Sequence, residues 1–292
     1  MIRPVDVDGV ACSVFAPSGQ QRAVLCCVPG GGMSRRYFDL ELTGYSMARH
    51  LAALGFAVVT VDPPGVGDSR APDDGYALTP AAVADAIAPA VGRVLADLPA
   101  QGPVVGIGHS AGGLLTVVQQ ARHRTYDALA LLGFEGRGLV DVLTPEELAY
   151  AGDQAGIEGA IAALTEARFA DPLPIGTTAT SPFLLGVEEV PSAALDAIAT
   201  AKAAMLAVVG LTSMIPGSIR RELEAIDVPV FLGVGEHDIT GPPREIPPQL
   251  PACSDITLFV LGGAGHNHNV ASRRTELWDR LAAWVAALGP SA

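Results

Sequence analysis

The chain has 292 residues, of which 49% are hydrophobic, and its 31 acidic and 18 basic side chains give a formal net charge of −13. An acidic surface repels phosphate backbones, so we expect no binding to nucleic acid. No apolar run is long enough to span a membrane and the first residues lack the apolar segment of a secretory signal, so we expect a soluble, cytoplasmic protein.

Apolar segments alternate with helical patterns through the first half of the chain. Such alternation predicts an α/β fold, with a mostly parallel sheet and helices on both of its faces. Thr79 and Pro80 indicate the start of one helix, because threonine caps helix N-termini and proline suits the first helical position. The predicted strands cover residues 10–15, 23–28, 56–61, 103–108 and 128–132, and the predicted helices cover 45–54, 80–98 and 111–122.

The four cysteines of the chain lack the spacing of a metal site. Cys26 and Cys27 are adjacent in a predicted strand, so their side chains should point to opposite faces of the sheet. We expect buried free thiols rather than a disulfide.

The alternation stops between residues 135 and 228, where helical patterns occur without a good strand. Thr144-Pro145-Glu146-Glu147 has the pattern of a capping box, and a second helix is predicted over 193–209. We therefore predict that residues 137–222 form a helical cap inserted into an α/β core made of residues 1–136 and 223–292. Strands at 228–234 and 256–260 and an amphipathic helix at 273–288 complete that core.

Several apolar residues of the predicted cap are candidates to line a pocket. The alternative is that they only pack the cap against itself, and methionine suits either role because its side chain is flexible. These residues are Phe183, Leu184, Leu185, Met205, Leu206, Met214 and Ile215.

The run Gly108-His109-Ser110-Ala111-Gly112 follows a predicted strand and opens a predicted helix. A serine between glycines at such a junction lies on a tight, strained turn that presents its hydroxyl at the edge of the sheet. A serine hydroxyl is a weak nucleophile near neutral pH, so it needs a base to take its proton and an acid to orient the base. Ser110 is therefore a candidate nucleophile.

Two later loops supply candidates for the acid and the base. Asp238 follows the predicted strand at 228–234, and His266 lies in a glycine-rich loop after the last predicted strand. Glu135 is an alternative acid because it follows the strand after the serine, and His268 is an alternative base. The chain order Ser110, Asp238, His266 is the one expected of an α/β-hydrolase.

On these residues the chain resembles the α/β-hydrolase superfamily across essentially its whole length. The resemblance implies that Ser110 is the nucleophile of a nucleophile elbow, with Asp238 as the acid and His266 as the base. The run from Asp62 to Ser69 is similar to the D-x-x-G-x-G-x-S turn that many members carry. The predicted cap also lies where members of the family carry theirs.

The resemblance further implies an oxyanion hole, which needs two or three N–H groups aimed at one point. The N–H of Ala111, directly after the nucleophile, is one candidate donor. The run Pro29-Gly30-Gly31-Gly32-Met33 resembles the His-Gly-Gly-Gly loop of the family, with proline in place of histidine. Gly31 is our first candidate for the second donor, and Gly32 is the next.

Together these features predict a serine hydrolase that cleaves an acyl bond, a carboxylic ester before other bonds, through an acyl-enzyme. Such an enzyme needs no metal or organic cofactor, and an apolar cap favours a small-molecule acyl substrate that is itself apolar. The same machinery would serve a thioesterase or a lactonase, and the fold also admits a non-hydrolytic lyase or a ligand-binding protein. The sequence does not indicate an oligomeric state.

A competing motif uses the same residues. The run from Gly106 to Ala111 fits the G-x-G-x-x-G/A fingerprint of dinucleotide-binding Rossmann folds, with Glu135 near the place of a ribose-binding acid. An NAD(P)-binding oxidoreductase is therefore a minor alternative. It would leave Asp238 and His266 unexplained, and the fingerprint normally lies on the first strand of the sheet.

Overall fold

The computed structural model of the chain describes residues 2–99, 101–175, 182–186 and 189–289. Within these ranges eight strands form one sheet: β1 (Ile2–Val7), β2 (Val10–Phe15), β3 (Ala23–Val28), β4 (Phe56–Val61), β5 (Val104–His109), β6 (Ala128–Leu132), β7 (Val230–Gly235) and β8 (Ile256–Leu261). Their order across the sheet is β1-β2-β4-β3-β5-β6-β7-β8. The six strands from β3 to β8 are mutually parallel, and β1 and β2 join antiparallel at one edge. The predicted, mostly parallel α/β sheet is confirmed.

Strand β1 was not predicted. It pairs with β2 along its whole length, and the turn between them is Asp8-Gly9, where both residues have positive φ. Asp-Gly with two positive φ values is the sequence signature of a tight hairpin. The strand lies at an exposed edge of the sheet, where Ile2 is 37% exposed, and only Val5 and Val7 pack against the core.

The described residues contain ten α-helices: α1 (Met47–Ala53), α2 (Pro80–Ala96), α3 (Ala111–His123), α4 (Pro145–Leu148), α5 (Gln154–Phe169), α6 (Pro182–Leu185), α7 (Ser192–Thr200), α8 (Ala207–Met214), α9 (Arg220–Glu224) and α10 (Arg274–Ala287). Thr79 caps α2 by accepting the N–H of Ala82 at 3.2 Å, with Pro80 at the first helical position, as predicted. Thr144 and Glu147 form the predicted capping box at the start of α4.

The single helix predicted over 193–209 is wrong. The structure has α7 and α8 there, separated by residues 201–206. That intervening segment makes β-type contacts on two sides, through Lys202 with Met33 and Ala204 with Ile175. Hydrogen bonds to chain segments distant in sequence therefore outweigh the helical propensity of an alanine-rich stretch.

Two apolar clusters cover the two faces of the sheet. Cys26 belongs to one cluster and Cys27 to the other, which confirms that adjacent residues of β3 point to opposite faces. Helices α2 and α3 contribute to the first cluster, while α1 and α10 contribute to the second. All four cysteines are free thiols, as expected; Cys12, Cys26 and Cys27 are buried, whereas Cys253 is only partly buried. None of the helices in the described ranges combines the length and apolar character that a membrane crossing requires.

Candidate active site

Ser110 lies between β5 and α3 in a strained conformation, with φ 52° and ψ −123°. A positive φ at a residue with a side chain costs about 1–3 kcal/mol and persists only where the surroundings enforce it. Here the surroundings are tightly packed main chain. A Cβ at Gly112 would overlap the carbonyl oxygens of Val28 and Pro29 at the end of β3. The close approach of β3 to α3 thus requires glycine at this position and holds the turn that presents Ser110.

Asp238 and His266 meet across the carboxyl ends of neighbouring strands. Asp238 lies three residues after the end of β7, and its Oδ2 accepts the N–H of Gly235 at 3.1 Å. His266 lies five residues after the end of β8, and its Nδ1 is 2.7 Å from Asp238 Oδ1. An ionised carboxylate only accepts hydrogen bonds, so Nδ1 of His266 carries the proton. The other ring nitrogen, Nε2, is then the basic one.

Asp238 is nearly sealed from solvent, with 1% of its side chain exposed. Burial by itself raises the pKa of this carboxyl, but the charges and hydrogen bonds of His266 and His268 outweigh burial and hold its pKa well below the usual range. The carboxylate therefore stays ionised throughout the pH range in which a histidine base works.

Glu135, the alternative acid, has a different partner. Its carboxylate accepts hydrogen bonds from the N–H and the guanidinium of Arg137, each at 2.8 Å. Burial raises the pKa of Glu135, and the interactions with Arg137 oppose that rise. The structure brings Asp238, and not Glu135, to the ring of His266.

The two other histidines near the site are buried. His268 Nε2 is 2.8 Å from Asp238 Oδ2, the carboxylate oxygen that faces away from His266. His109 Nε2 donates to the main-chain oxygen of His266 at 2.9 Å and lies 3.3 Å from the hydroxyl of Tyr37. Burial first, and then the neighbouring His266 and His268, hold the pKa of His109 well below its ordinary value. His109 is thus a neutral, hydrogen-bonded support beneath His266.

Ser110 and His266 line one cavity of about 150 Å³. Ala111 and the glycines Gly30 to Gly32 line the same cavity, so the candidate oxyanion donors face the space in front of the serine. Its remaining walls are mainly apolar, and they include Leu139, Leu184, Met205, Met214 and Ile239.

The glycine loop after β3 is a tight turn. The N–H of Met33 donates to the carbonyl of Gly30 at 3.2 Å, and Gly32 has a φ of 76°. The N–H of Met33 is used within the turn. The candidate oxyanion donors in this loop are therefore still Gly31 and Gly32, the two glycines that the sequence suggested. The segment between α7 and α8 crosses this loop, because the N–H of Ala203 donates to Gly32 and the N–H of Ser34 donates to Ala201.

A buried ion pair next to this loop was missed at the level of sequence. The Arg35 guanidinium contacts the carboxylate of Asp62, whose side chain is fully buried. The same carboxylate accepts the N–H groups of Arg35 and Asp68. Asp62 thus braces its own glycine-rich turn and also ties that turn to the chain that follows the glycine loop.

The apolar residues of the predicted cap do not all take one of the two roles considered for them. Leu184, Met205 and Met214 line the cavity. Ile215 is buried in an apolar cluster formed by residues of the 137–222 region. Leu206 and Leu185 instead pack into the two clusters that cover the faces of the sheet. The side chain of Phe183 lies outside the described residues.

The glycines of the dinucleotide-like fingerprint leave no open cradle. A Cβ at Gly106 would lie 2.6 Å from the ring of Tyr126, and one at Gly108 would overlap the main chain of Gly112. A pyrophosphate needs that space, so these glycines serve helix–strand packing. Within the part of the chain that the structure describes, no group of three or more His, Cys, Asp or Glu side chains is arranged to hold a metal ion.

Comparison with known proteins agrees with this architecture. A model of the alpha/beta hydrolase family matches residues 24–280. No curated protein sequence matches the chain. Similar solved structures include an esterase from Exiguobacterium antarcticum, with 18% identity, coverage of 96% of this chain and 97% of that one, and a TM-score of 0.66. A thermostable carboxyl esterase from Bacillus coagulans has 17% identity, coverage of 98% and 97%, and a TM-score of 0.65. A thioesterase domain from the curacin biosynthetic pathway has 16% identity, coverage of 99% of both chains, and a TM-score of 0.64.

Proposed function

Because this chain belongs to the alpha/beta hydrolase family, we propose that it is a serine hydrolase that cleaves an acyl bond, with a carboxylic ester as the first candidate substrate. The observation that carries the proposal is the strained Ser110 at the elbow, in one cavity with a His266 ring whose Nδ1 is bonded to Asp238. A nucleophile, a base and an orienting acid are the three groups that acyl transfer to serine needs.

In the proposed reaction, Nε2 of His266 takes the proton of Ser110 as the hydroxyl oxygen attacks the carbonyl carbon of the substrate. The resulting imidazolium is stabilised by Asp238 at 2.7 Å and then gives its proton to the leaving alcohol. This forms an acyl-enzyme. A water molecule, deprotonated by the same nitrogen, attacks the acyl carbon and releases the acid and the free serine.

The tetrahedral intermediate carries a negative oxygen that must be bound. Ala111 is the first residue of α3, so its N–H is not used inside the helix and points out of the positive end of the helix dipole. We assign the second donor to Gly31 or Gly32. Each such donor contributes about 100- to 1000-fold to the rate.

We also propose that residues 137–222 act as a cap that shapes the substrate site. Leu184, Met205 and Met214 from this region give the cavity apolar walls. The cavity of about 150 Å³ is smaller than the roughly 300–1,000 Å³ of typical small-molecule sites. Its size and its apolar walls favour a short, apolar acyl group over a long fatty chain.

The first experiment identifies the nucleophile. Wild-type protein should react with a fluorophosphonate probe and hydrolyse p-nitrophenyl esters, and Ser110→Ala should lose both properties. Ser213→Ala is a matched control, because Ser213 also lines the cavity but donates its hydroxyl to the carbonyl of Gly210 at 2.7 Å. Stoichiometric labelling of folded Ser110→Ala, or no labelling of folded wild type, would contradict the proposal.

The second experiment defines the bond and the chain length. We expect esters with short acyl groups to have the highest kcat/KM in a panel of esters, thioesters and lactones of graded length. A higher kcat/KM for the matched thioesters would make the protein a thioesterase, in line with the structural similarity to a thioesterase domain. Fluorophosphonate labelling without turnover of any member would favour a non-hydrolytic function.

A further inference from the structure

The carboxylate of Asp238 is held by two histidines, one on each oxygen. His266 Nδ1 lies 2.7 Å from Oδ1, and His268 Nε2 lies 2.8 Å from Oδ2. The proposed reaction uses only His266. His268 comes from the same loop, two residues later, and is 1% exposed. A second buried histidine on the acid has no assigned role in the mechanism described above.

We propose that His268 is a positioning residue: it clamps Asp238 so that Oδ1 stays directed at His266. The proposal rests on the function assigned above to Ser110, Asp238 and His266. A carboxylate turns easily about its Cβ–Cγ bond, which is a broad, two-fold torsion. Bonds from His268 and from the N–H of Gly235 hold Oδ2. With Oδ2 held, Oδ1 has one position, and the ring of His266 has one orientation.

The chemistry of the contact defines the protonation of His268. Ionised Asp238 only accepts, so Nε2 of His268 carries a proton and donates it. Its other ring nitrogen, Nδ1, is buried without a hydrogen-bond partner among the described residues. His268 therefore acts on the acid as a hydrogen-bond donor through Nε2.

The same geometry separates His268 from the base. His266 lines the cavity with Ser110, whereas Nδ1 of His268 is enclosed in protein. His109 packs against both rings, with ring centroids 4.8 Å from His266 and 5.5 Å from His268. His266 is thus held directly by two residues, by Asp238 at its ring and by His109 at its main-chain carbonyl. His268 acts on it indirectly, through Asp238.

The test compares two substitutions at His268. In His268→Leu the side chain keeps its apolar bulk and loses the donor, so we expect kcat for a p-nitrophenyl ester to fall about 10- to 100-fold, the equivalent of one hydrogen bond to a charged group. KM should change less than about threefold, since substrate does not touch His268. His268→Gln places an amide N–H near the former Nε2 and should restore kcat to within about threefold of wild type.

Equal kcat values for wild type, Leu and Gln variants of matched thermal stability would overturn the proposal, as would equal losses in both variants. A loss of fluorophosphonate labelling on Ser110→Ala in the same assay shows that the proposed function holds, so the two failures are distinguishable. A second measurement needs no substitution. Histidine-selective ¹⁵N NMR of wild type should show that Nε2 of His268 carries a proton; an Nε2 without a proton at His268 would refute the clamp.

Discussion

Acid should destabilise this protein through the buried imidazole of His109. The side chain is 2% exposed, and its Nε2 donates to the carbonyl of His266 at 2.9 Å. Burial first, and then His266 and His268, hold the pKa of His109 well below 6.5. The folded protein thus keeps this ring neutral at a pH where the unfolded chain binds a proton.

The direction and size of the effect follow from proton linkage. Below pH 6.5 the unfolded state binds one more proton at this position than the folded state, so the free energy of unfolding falls as the pH falls. Each pH unit below that point removes about 1.4 kcal/mol. Between about pH 8 and pH 5 the loss from His109 alone amounts to at most about 2 kcal/mol.

The assay is equilibrium urea unfolding of wild type and His109→Gln at both pH values, followed by the fluorescence of the two tryptophans. Glutamine does not titrate, and its amide N–H can take over the bond to His266. The variant is expected to be less stable at pH 8 but to lose up to about 2 kcal/mol less on acidification, since all other titrating groups are common to both proteins. Equal pH dependence in the two proteins would refute the reasoning.

Three further substitutions, one of them with a matched control, test the catalytic acid, the turn at Ser110 and the buried ion pair. Asp238→Asn should lower kcat about 10⁴-fold in ester hydrolysis, because a neutral amide cannot stabilise the imidazolium; a loss below tenfold would remove Asp238 from the mechanism. Gly112→Ala should lower the free energy of unfolding by roughly 1–3 kcal/mol through main-chain overlap, whereas Gly92→Ala, in an open helix position, should raise it by about 1 kcal/mol. Urea unfolding should therefore show changes of opposite sign in the free energy of unfolding for the two glycine substitutions. Asp62→Ala should cost about 3 kcal/mol in the same assay, because it removes the buried carboxylate partner of the Arg35 guanidinium, which keeps only the more exposed Asp68, and because the N–H groups of Arg35 and Asp68 lose their acceptor; a change under 1 kcal/mol would contradict this.

Local signals in the sequence predicted the regular elements where the residues that define them are adjacent. Thr79 and Pro80 start α2, and Thr144 with Glu147 starts α4, because a capping hydroxyl and a proline act within one helical turn. The prediction over 193–209 was wrong because the main chain of residues 201–204 bonds to Gly32 and Ser34, far away in sequence. Edge strand β1 was missed because only Val5 and Val7 of this strand pack against the core, an alternation too short to indicate a strand.

The sequence by itself determined the α/β architecture, the elbow around Ser110 and the candidates for its partners. Parallel strands end at one edge of the sheet, so residues that follow different strands are brought to the same place whatever their separation along the chain. The tertiary structure decided which candidates touch. It pairs His266 with Asp238 and Glu135 with Arg137. It also places His268, the alternative base, in a hydrogen bond with the second carboxylate oxygen of Asp238. Which of these side chains meet depends on loop conformation to within a few ångströms, and the spacing of residues along the chain does not specify that conformation.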